Sequence, residues 1–268
     1  MELSIIIVNY NGQLFLKNCF ESIKNCLKNV AYEIIIIDNN SSDDSCNFIK
    51  ENFKNVILIE SKINLGFGKG NNEAVKRASG KHLLLLNNDT ILLNDLSPIL
   101  SFINKEKNIG AIGINMLNSN KNYIQAAGNF PNFFNLFWMK LAFNINSDFK
   151  TGNFKQDFYN VDWLTGSFLF IPKFVYDEVG GFDEDYFLYV EDVDFSKRIA
   201  NLGLKRVFLP NYNYIHFVGF TKAKNPMLIK GYEIYISKHF TGLDKLLVTV
   251  ALRINKLVKN IKKLVKLD

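Results

Sequence analysis

A chain of 268 residues, 48% hydrophobic and 14% aromatic, carries enough apolar surface for a full core, which places it among globular proteins. Its formal net charge of +6 is concentrated: Lys245, Arg253, Lys256, Lys259, Lys262, Lys263 and Lys266 lie together near the C-terminus, and without them the rest is close to neutral. The basic character belongs to a tail and not to a groove-lining surface, so nucleic acid is not expected as a partner.

Met1 leads at once into an apolar run, without the basic start and small-residue cleavage site of a signal peptide. No apolar stretch reaches membrane-spanning length. Cys19, Cys26 and Cys46 are an odd count with no C-x-x-C spacing, which excludes a disulfide framework or a zinc knuckle and points to a reduced, cytoplasmic protein.

Strand-length apolar runs recur at Leu3–Val8, Glu33–Ile37, Val56–Ile59 and Leu83–Leu86, with helical segments between them. Alternating strands and helices predict a parallel sheet, and runs that are apolar throughout predict strands covered on both faces. In such sheets ligands bind beyond the strands' C-terminal ends. The polar punctuation falls there: Asn9-Tyr10-Asn11-Gly12, Asp38-Asn39-Asn40-Ser41-Ser42-Asp43, Asn64-Leu65-Gly66 and Asn87-Asn88-Asp89.

From about Ile109 the pattern loosens, and Phe130 to Asp157 is rich in Phe and Asn with no clear period. It reads as an insertion on the acceptor side. Val161–Ile171 is then expected as one apolar strand, followed by a helix from Lys173 that ends at Gly180-Gly181 and a second helix beginning near Glu191. The expected division is a domain over 1–222, with halves 1–108 and 109–222, and a helical tail over 223–268.

Tyr186-Phe187-Leu188-Tyr189-Val190-Glu191-Asp192-Val193-Asp194 sets carboxylates among aromatics. Joining a hydroxyl to an activated phosphate ester needs a carboxylate to take the proton and a cation to hold the departing phosphates; Asp192 and Asp89 are the candidates. Acids at a helix start also complement the helix dipole, so capping is the plain alternative for Glu191 and Asp192. An Asx turn is the alternative for Asp38, a tight turn for Gly66-Phe67-Gly68-Lys69-Gly70, and a satisfied strand residue for His216. A dinucleotide fingerprint is excluded, because the glycine run follows the third strand and reads G-x-G-x-G.

Taken in order, Asn64-Leu65-Gly66-Phe67-Gly68-x-Gly70-Asn71-Asn72, Leu86-Asn87-Asn88-Asp89-Thr90, Gly180-Gly181-Phe182-Asp183-Glu184, Glu191-Asp192-Val193-Asp194 and His216-x-x-Gly219-x-Thr221 resemble glycosyltransferase family 2, in particular its bacterial rhamnosyltransferase-like members. The resemblance runs from Ile5 to about Thr221 and implies an α/β fold of the glycosyltransferase A type: a mostly parallel nucleotide-binding sheet flanked by helices, here with an amphipathic helical tail.

The resemblance implies an inverting transferase with Asp192 as base and Glu191 beside it. It implies a nucleotide-sugar site at Asn9, Tyr10, Asp38, Asn64, Gly66, Asn72, Asn88 and Asp89, with acceptor contacts at Trp163, Gly166 and Asp183. Asp89 ends an element similar to the family's D-x-D motif, whose carboxylates hold manganese or magnesium; Asn87 replaces the first acid, and His216 is the expected second ligand. The implied donor is dTDP-rhamnose or a UDP-hexose, and the implied acceptor is a surface glycan or lipid-linked oligosaccharide. A non-catalytic nucleotide-sugar or glycan-binding protein of the same fold is the alternative. A nucleotidyltransferase is disfavoured, because Asn9-Tyr10-Asn11-Gly12 carries neither Arg nor Lys.

In the tail, Leu247, Val250, Ala251, Ile254, Leu257, Val258, Ile261, Leu264 and Val265 repeat at helical spacing, with Arg253, Lys256, Lys259, Lys263 and Lys266 opposite. Such a helix is suited to lie on an anionic membrane, which would make the protein peripheral on the inner face of the cytoplasmic membrane. Packing on the domain or on a second subunit, in a homodimer, is the other expectation.

Overall fold

The structure, a computed structural model, describes residues 1–217 and 225–264. Strand and helix alternate at first: β1 (Leu3–Asn9), α1 (Gln13–Cys26), β2 (Tyr32–Asp38), α2 (Ser45–Asn52), β3 (Val56–Glu60), α3 (Phe67–Val75) and β4 (His82–Leu86). Then come β5 (Thr90–Leu92), α4 (Ser97–Lys105), β6 (Ile109–Leu117), β7 (Tyr123–Ile124) and β8 (Ala127–Gly128). The Phe/Asn-rich insertion folds as α5 (Phe133–Phe137), a 3-10 turn (Met139–Phe143) and α6 (Ser147–Thr151). The chain continues through β9 (Tyr159–Asn160), β10 (Trp163–Leu164), β11 (Phe168–Pro172), α7 (Lys173–Val179), α8 (Glu191–Asn201), β12 (Lys205–His216), α9 (Asn225–His239) and α10 (Gly242–Leu264).

The main sheet runs β3-β2-β1-β4-β11-β6-β12-β5. The pairs β3–β2, β2–β1 and β1–β4 are parallel, and so is β6–β12, whereas β11 runs antiparallel to β4 and β6, and β5 antiparallel to β12. Ile5, Ile6, Ile7, Ile35, Leu84 and Leu85 are fully buried, which accounts for the unbroken apolar runs.

Two features of this topology build the site. Because β11 returns antiparallel beside β4, its first residue Phe168 lies opposite Leu86, so the turn before β11 meets the loop after β4. Because β5 lies antiparallel against β12, His216 pairs with Thr90 and arrives next to Asp89.

The expected strand over 161–171 is two short strands, β10 and β11, interrupted at Thr165-Gly166-Ser167. Apolar patterning does not reveal the break, since both pieces are buried. The helices at Lys173 and Glu191 are found where expected, the first closed by Gly180 in the left-handed conformation at φ +82°.

A second, smaller core joins the tail to this half of the molecule. Trp163, Tyr186, Val190 and Val193 pack with Ile229, Tyr232, Tyr235 and Ile236 of α9 and with Val248, Ala251 and Leu252 of α10. Gly231 makes the approach possible, because a Cβ there would lie 2.6 Å from the Tyr189 carbonyl oxygen. The expected apolar face of the tail is therefore divided: Ala251 is buried, while Val250, Ile254 and Leu257 remain exposed. No helix among the described residues is long and apolar enough to cross a membrane.

Candidate active site

At the C-terminal ends of β1, β2 and β4, three polar side chains form a buried chain of hydrogen bonds. Asn88 Nδ2 donates to Asn9 Oδ1 at 2.6 Å, and Asn9 Nδ2 donates to Asp38 Oδ2 at 2.7 Å. The Ser41 hydroxyl donates to Asp38 Oδ2 and the Ser41 backbone N–H to Oδ1, so the Asx turn forms as well. Buried polar groups need such partners, and the network fixes the crevice floor. The Cys46 thiol is pushed up to about 12 by burial and by Asp38 and Glu60, so it stays protonated. Tyr10 stands half exposed at the rim.

Beside this floor, Gly66 and α3 approach the aromatic segment that precedes α8. The Phe67 N–H donates to the Phe187 carbonyl at 2.9 Å, and Gly66, at φ +78°, leaves no room for a Cβ, which would sit 2.3 Å from that oxygen. Asn64 Oδ1 accepts from the Gly66 N–H at 2.9 Å and Asn39 Nδ2 donates to the Gly66 carbonyl at 2.9 Å. Asn39 Oδ1 is buried with no hydrogen-bond partner among the described residues, an acceptor at the end of β2 that the sequence patterns did not single out.

Asp89 and His216 meet with Oδ1 and Nε2 3.2 Å apart, and the Asn87 amide nitrogen lies 3.3 Å from the same imidazole nitrogen. Gly219 and Thr221, which complete the histidine motif, lie outside the described residues. Among the described residues no group of three or more His, Cys, Asp or Glu side chains converges as a metal cluster.

Asp192 is the second residue of α8. Its Oδ2 accepts from the Gly166 N–H and its Oδ1 from the Val193 N–H, both at 2.9 Å. One residue on, the Ser167 carbonyl accepts from the Asn87 N–H at 3.1 Å. The break between β10 and β11 thus connects the α8 carboxylate to the Asn87-Asn88-Asp89 turn through one dipeptide. Beneath it, the Ser167 and Tyr214 hydroxyls are 2.6 Å apart. Burial raises the pKa of the Tyr214 hydroxyl and the bond to Ser167 lowers it; the charges of Asp89 and Asp192 add to the rise.

Burial is also what raises the pKa of Asp192, against the backbone hydrogen bonds that lower it. Glu191 is held well above the usual carboxylate range, first by burial and then by the Asp192 charge. Its Oε2 has no hydrogen-bond partner among the described residues. The pair is delivered by a strained approach: Tyr189 and Val190 adopt φ +72° and +74°. A β-branched residue in that region stores about 1–3 kcal/mol. Packing of Val190 in the second core holds it there.

Three residues expected to face ligands are engaged within the protein. Trp163 is buried, donates through Nε1 to the Asn129 carbonyl and packs edge-on against Phe143. Asn72 accepts from Tyr176 and the Phe182 N–H and donates to the Phe182 carbonyl, which ties α3 to the Gly180–Glu184 turn. Asp183, with Asp185, holds Lys238 of α9 at 2.5 and 2.6 Å. Asp194 is fully buried and binds Arg198 at 2.8 Å and His239 at 2.7 Å. These latches escaped sequence reading because Lys238 and His239 lie 45 or more positions from their partners and carry no motif.

A parallel strand-end crevice that faces a helix-start carboxylate is the layout of the glycosyltransferase A fold. A solved structure of GalNAc-T7 with UDP, GalNAc and Mn2+ superposes with a TM-score of 0.68 at 16% identity, over 88% of this chain and 48% of that one, so the chain spans about half of its length. The chain belongs to glycosyltransferase family 2, whose profile, described as "Glycosyl transferase family 2", matches residues 4–180. It is similar to the N-acetylglucosaminyl-diphospho-decaprenol L-rhamnosyltransferase of Mycobacterium tuberculosis, 22% identical over 72% of this chain and 69% of that protein. The rhamnosyltransferase WbbL of Escherichia coli is 27% identical over 80% of this chain and 82% of its own length.

Proposed function

We propose that this protein is an inverting glycosyltransferase that moves a sugar from a nucleoside-diphosphate donor, dTDP-rhamnose or a UDP-hexose, to a hydroxyl of a bacterial surface glycan or lipid-linked oligosaccharide. Asp192 takes the proton of the acceptor hydroxyl; its oxygen bonds to the anomeric carbon as the bond from that carbon to the diphosphate oxygen breaks. One displacement inverts the configuration, and the nucleoside diphosphate leaves. The observation that carries this reading is the Gly166-Ser167 link, which bonds the Asp192 carboxylate on one side and the Asn87 backbone on the other. Asn9, Asp38 and Asn88 form the donor floor, with Tyr10 at its rim.

Asp89 and His216 would hold a divalent cation, manganese or magnesium. Asp89 Oδ1 and His216 Nε2, 3.2 Å apart, bring a carboxylate oxygen and an imidazole nitrogen together, donor types that suit such an ion. The imidazole would favour manganese over magnesium. When bound, such an ion supplies positive charge to the departing diphosphate. The rhamnosyltransferase relatives support the donor and acceptor classes, and the outer face of α10 supports a peripheral location on the inner face of the cytoplasmic membrane.

The test is transfer from a panel of dTDP- and UDP-sugars to glycan and lipid-linked acceptors with manganese, magnesium or a chelator, the product's anomeric configuration being read by NMR. Inversion and loss of activity on chelation are expected. Retention of configuration would remove the single-displacement mechanism, and undiminished transfer after chelation would remove the cation.

A further inference from the structure

The α10 helix has two apolar faces. Val248, Ala251 and Leu252 are buried in the second core, whereas Leu246, Val250, Ile254, Leu257 and Ile261 form a stripe along the opposite side, with Leu246 60% and Leu257 59% exposed. At 100° per residue these five fall within an arc of about 80°. An uninterrupted apolar stripe on a helix already docked by its other face calls for an occupant.

The stripe does not stand alone. The insertion between β8 and β9 packs against α10: Asn255 Nδ2 donates to the Phe137 carbonyl at 2.7 Å, and Lys259 Nζ lies 3.0 Å from the Met139 sulfur. Leu136 is buried with Val248 and Ala251. Four large side chains of that insertion are exposed, Phe134 at 71% and Trp138 at 61%, with Phe137 and Leu141. Along the other side of α10, facing α9, run two adjoining clefts of about 260 and 350 Å³. They are lined by Lys230, Lys245, Arg253, Lys256 and Lys259, with Glu233 as the acid.

We infer that the α10 stripe and the aromatic insertion form one docking surface for an anionic lipid bilayer, with the basic α9–α10 clefts receiving its headgroups. This deepens the membrane reading given above and rests on it. Aromatic side chains at the acyl boundary beside a cationic rim are the chemistry of an interfacial contact. A second copy of the chain fits less well, since a two-fold contact sets the same patch against itself and brings two cationic rims together. The surface also connects to the chemistry: Asn129 of the insertion bonds Trp163, and Gly166, three residues on, bonds Asp192. Docking would set the acceptor side of the crevice against the bilayer.

The chain has two tryptophans, Trp138 and the buried Trp163, so intrinsic fluorescence reports the insertion directly. With vesicles of phosphatidylcholine and phosphatidylglycerol, the full chain should show a blue-shifted emission, quenched by brominated lipid and absent in Trp138→Phe. In vesicle sedimentation, the Phe134→Ser/Trp138→Ser and Leu246→Ser/Leu257→Ser variants should each lose about tenfold or more in partitioning, with thermal unfolding unchanged because all four positions are exposed. If only the α10 variant loses binding and Trp138 emission stays put, the insertion is no part of the surface and the inference fails while the α10 reading stands. No binding by the wild-type chain removes both. A dimer in sedimentation velocity that the aromatic variant abolishes would assign the face to a second copy and overturn the inference.

Discussion

Replacing Asp192 by asparagine tests the base assignment, and the geometry sets the size of two separate effects. Asparagine offers one oxygen where aspartate offers two, yet Gly166 N–H and Val193 N–H each donate to a different carboxylate oxygen at 2.9 Å. The new NH2 must face one of those donors. One backbone N–H left unpaired in a buried setting costs about 1–3 kcal/mol, which lowers Tm by about 2–12 °C in a domain of this size. Loss of the base should lower kcat by about 10²–10⁴-fold, equivalent to about 3–5 kcal/mol of barrier. The donor KM should hold within about twofold, since Asn9, Asp38 and Asn88 bond to one another and not to Asp192. Initial rates of sugar transfer, taken well below the variant's Tm, separate the two effects. The base works ionised and burial raises its pKa, so wild-type activity should fall as pH drops through a limb above the ordinary aspartate value, and the variant should lack that limb. A kcat within about threefold of wild type would refute the reasoning.

Two further outcomes follow from the same region. Glu191 has a folded pKa above its unfolded value near 4.5, so the folded state binds more protons between the two values; its stabilising contribution is complete below the unfolded value and is lost as pH rises through the folded one. Glu191→Gln should therefore gain stability relative to wild type as pH rises, with a flatter curve of Tm against pH, and parallel curves would count against an ionising Glu191. Asp194→Ala leaves Arg198 and His239 without their shared buried carboxylate and should cost about 3–5 kcal/mol, read as a lower urea midpoint. A loss below about 1 kcal/mol would mean that the latch between α8 and α9 contributes little.

The expectations for the first half of the chain carried over almost unchanged. Four apolar runs became β1 to β4 because strands buried on both faces must be apolar throughout, and the polar loops fell at their C-terminal ends because parallel connections place them there. Asp89 and His216, far apart in sequence, meet because β5 and β12 pair. Trp163, Asn72 and Asp183 have internal partners that the sequence did not show. Each was expected to face a ligand, with a structural role as the alternative for Trp163 and Asp183, and each bonds to a partner at least 34 residues away, a relation that local pattern does not carry.

The amino-acid sequence alone determined the class of sheet, the crevice edge and which acids could do chemistry, since strand period, loop composition and residue type are local properties. Only the tertiary structure decided that Thr165-Gly166-Ser167 interrupts a strand to bind Asp192, that Glu191 is buried with its Oε2 lacking a hydrogen-bond partner among the described residues, and that α9 and α10 close a second core while leaving one face bare. Those outcomes depend on which surfaces are pressed together and shielded from water, and burial of that kind is set by the whole chain at once.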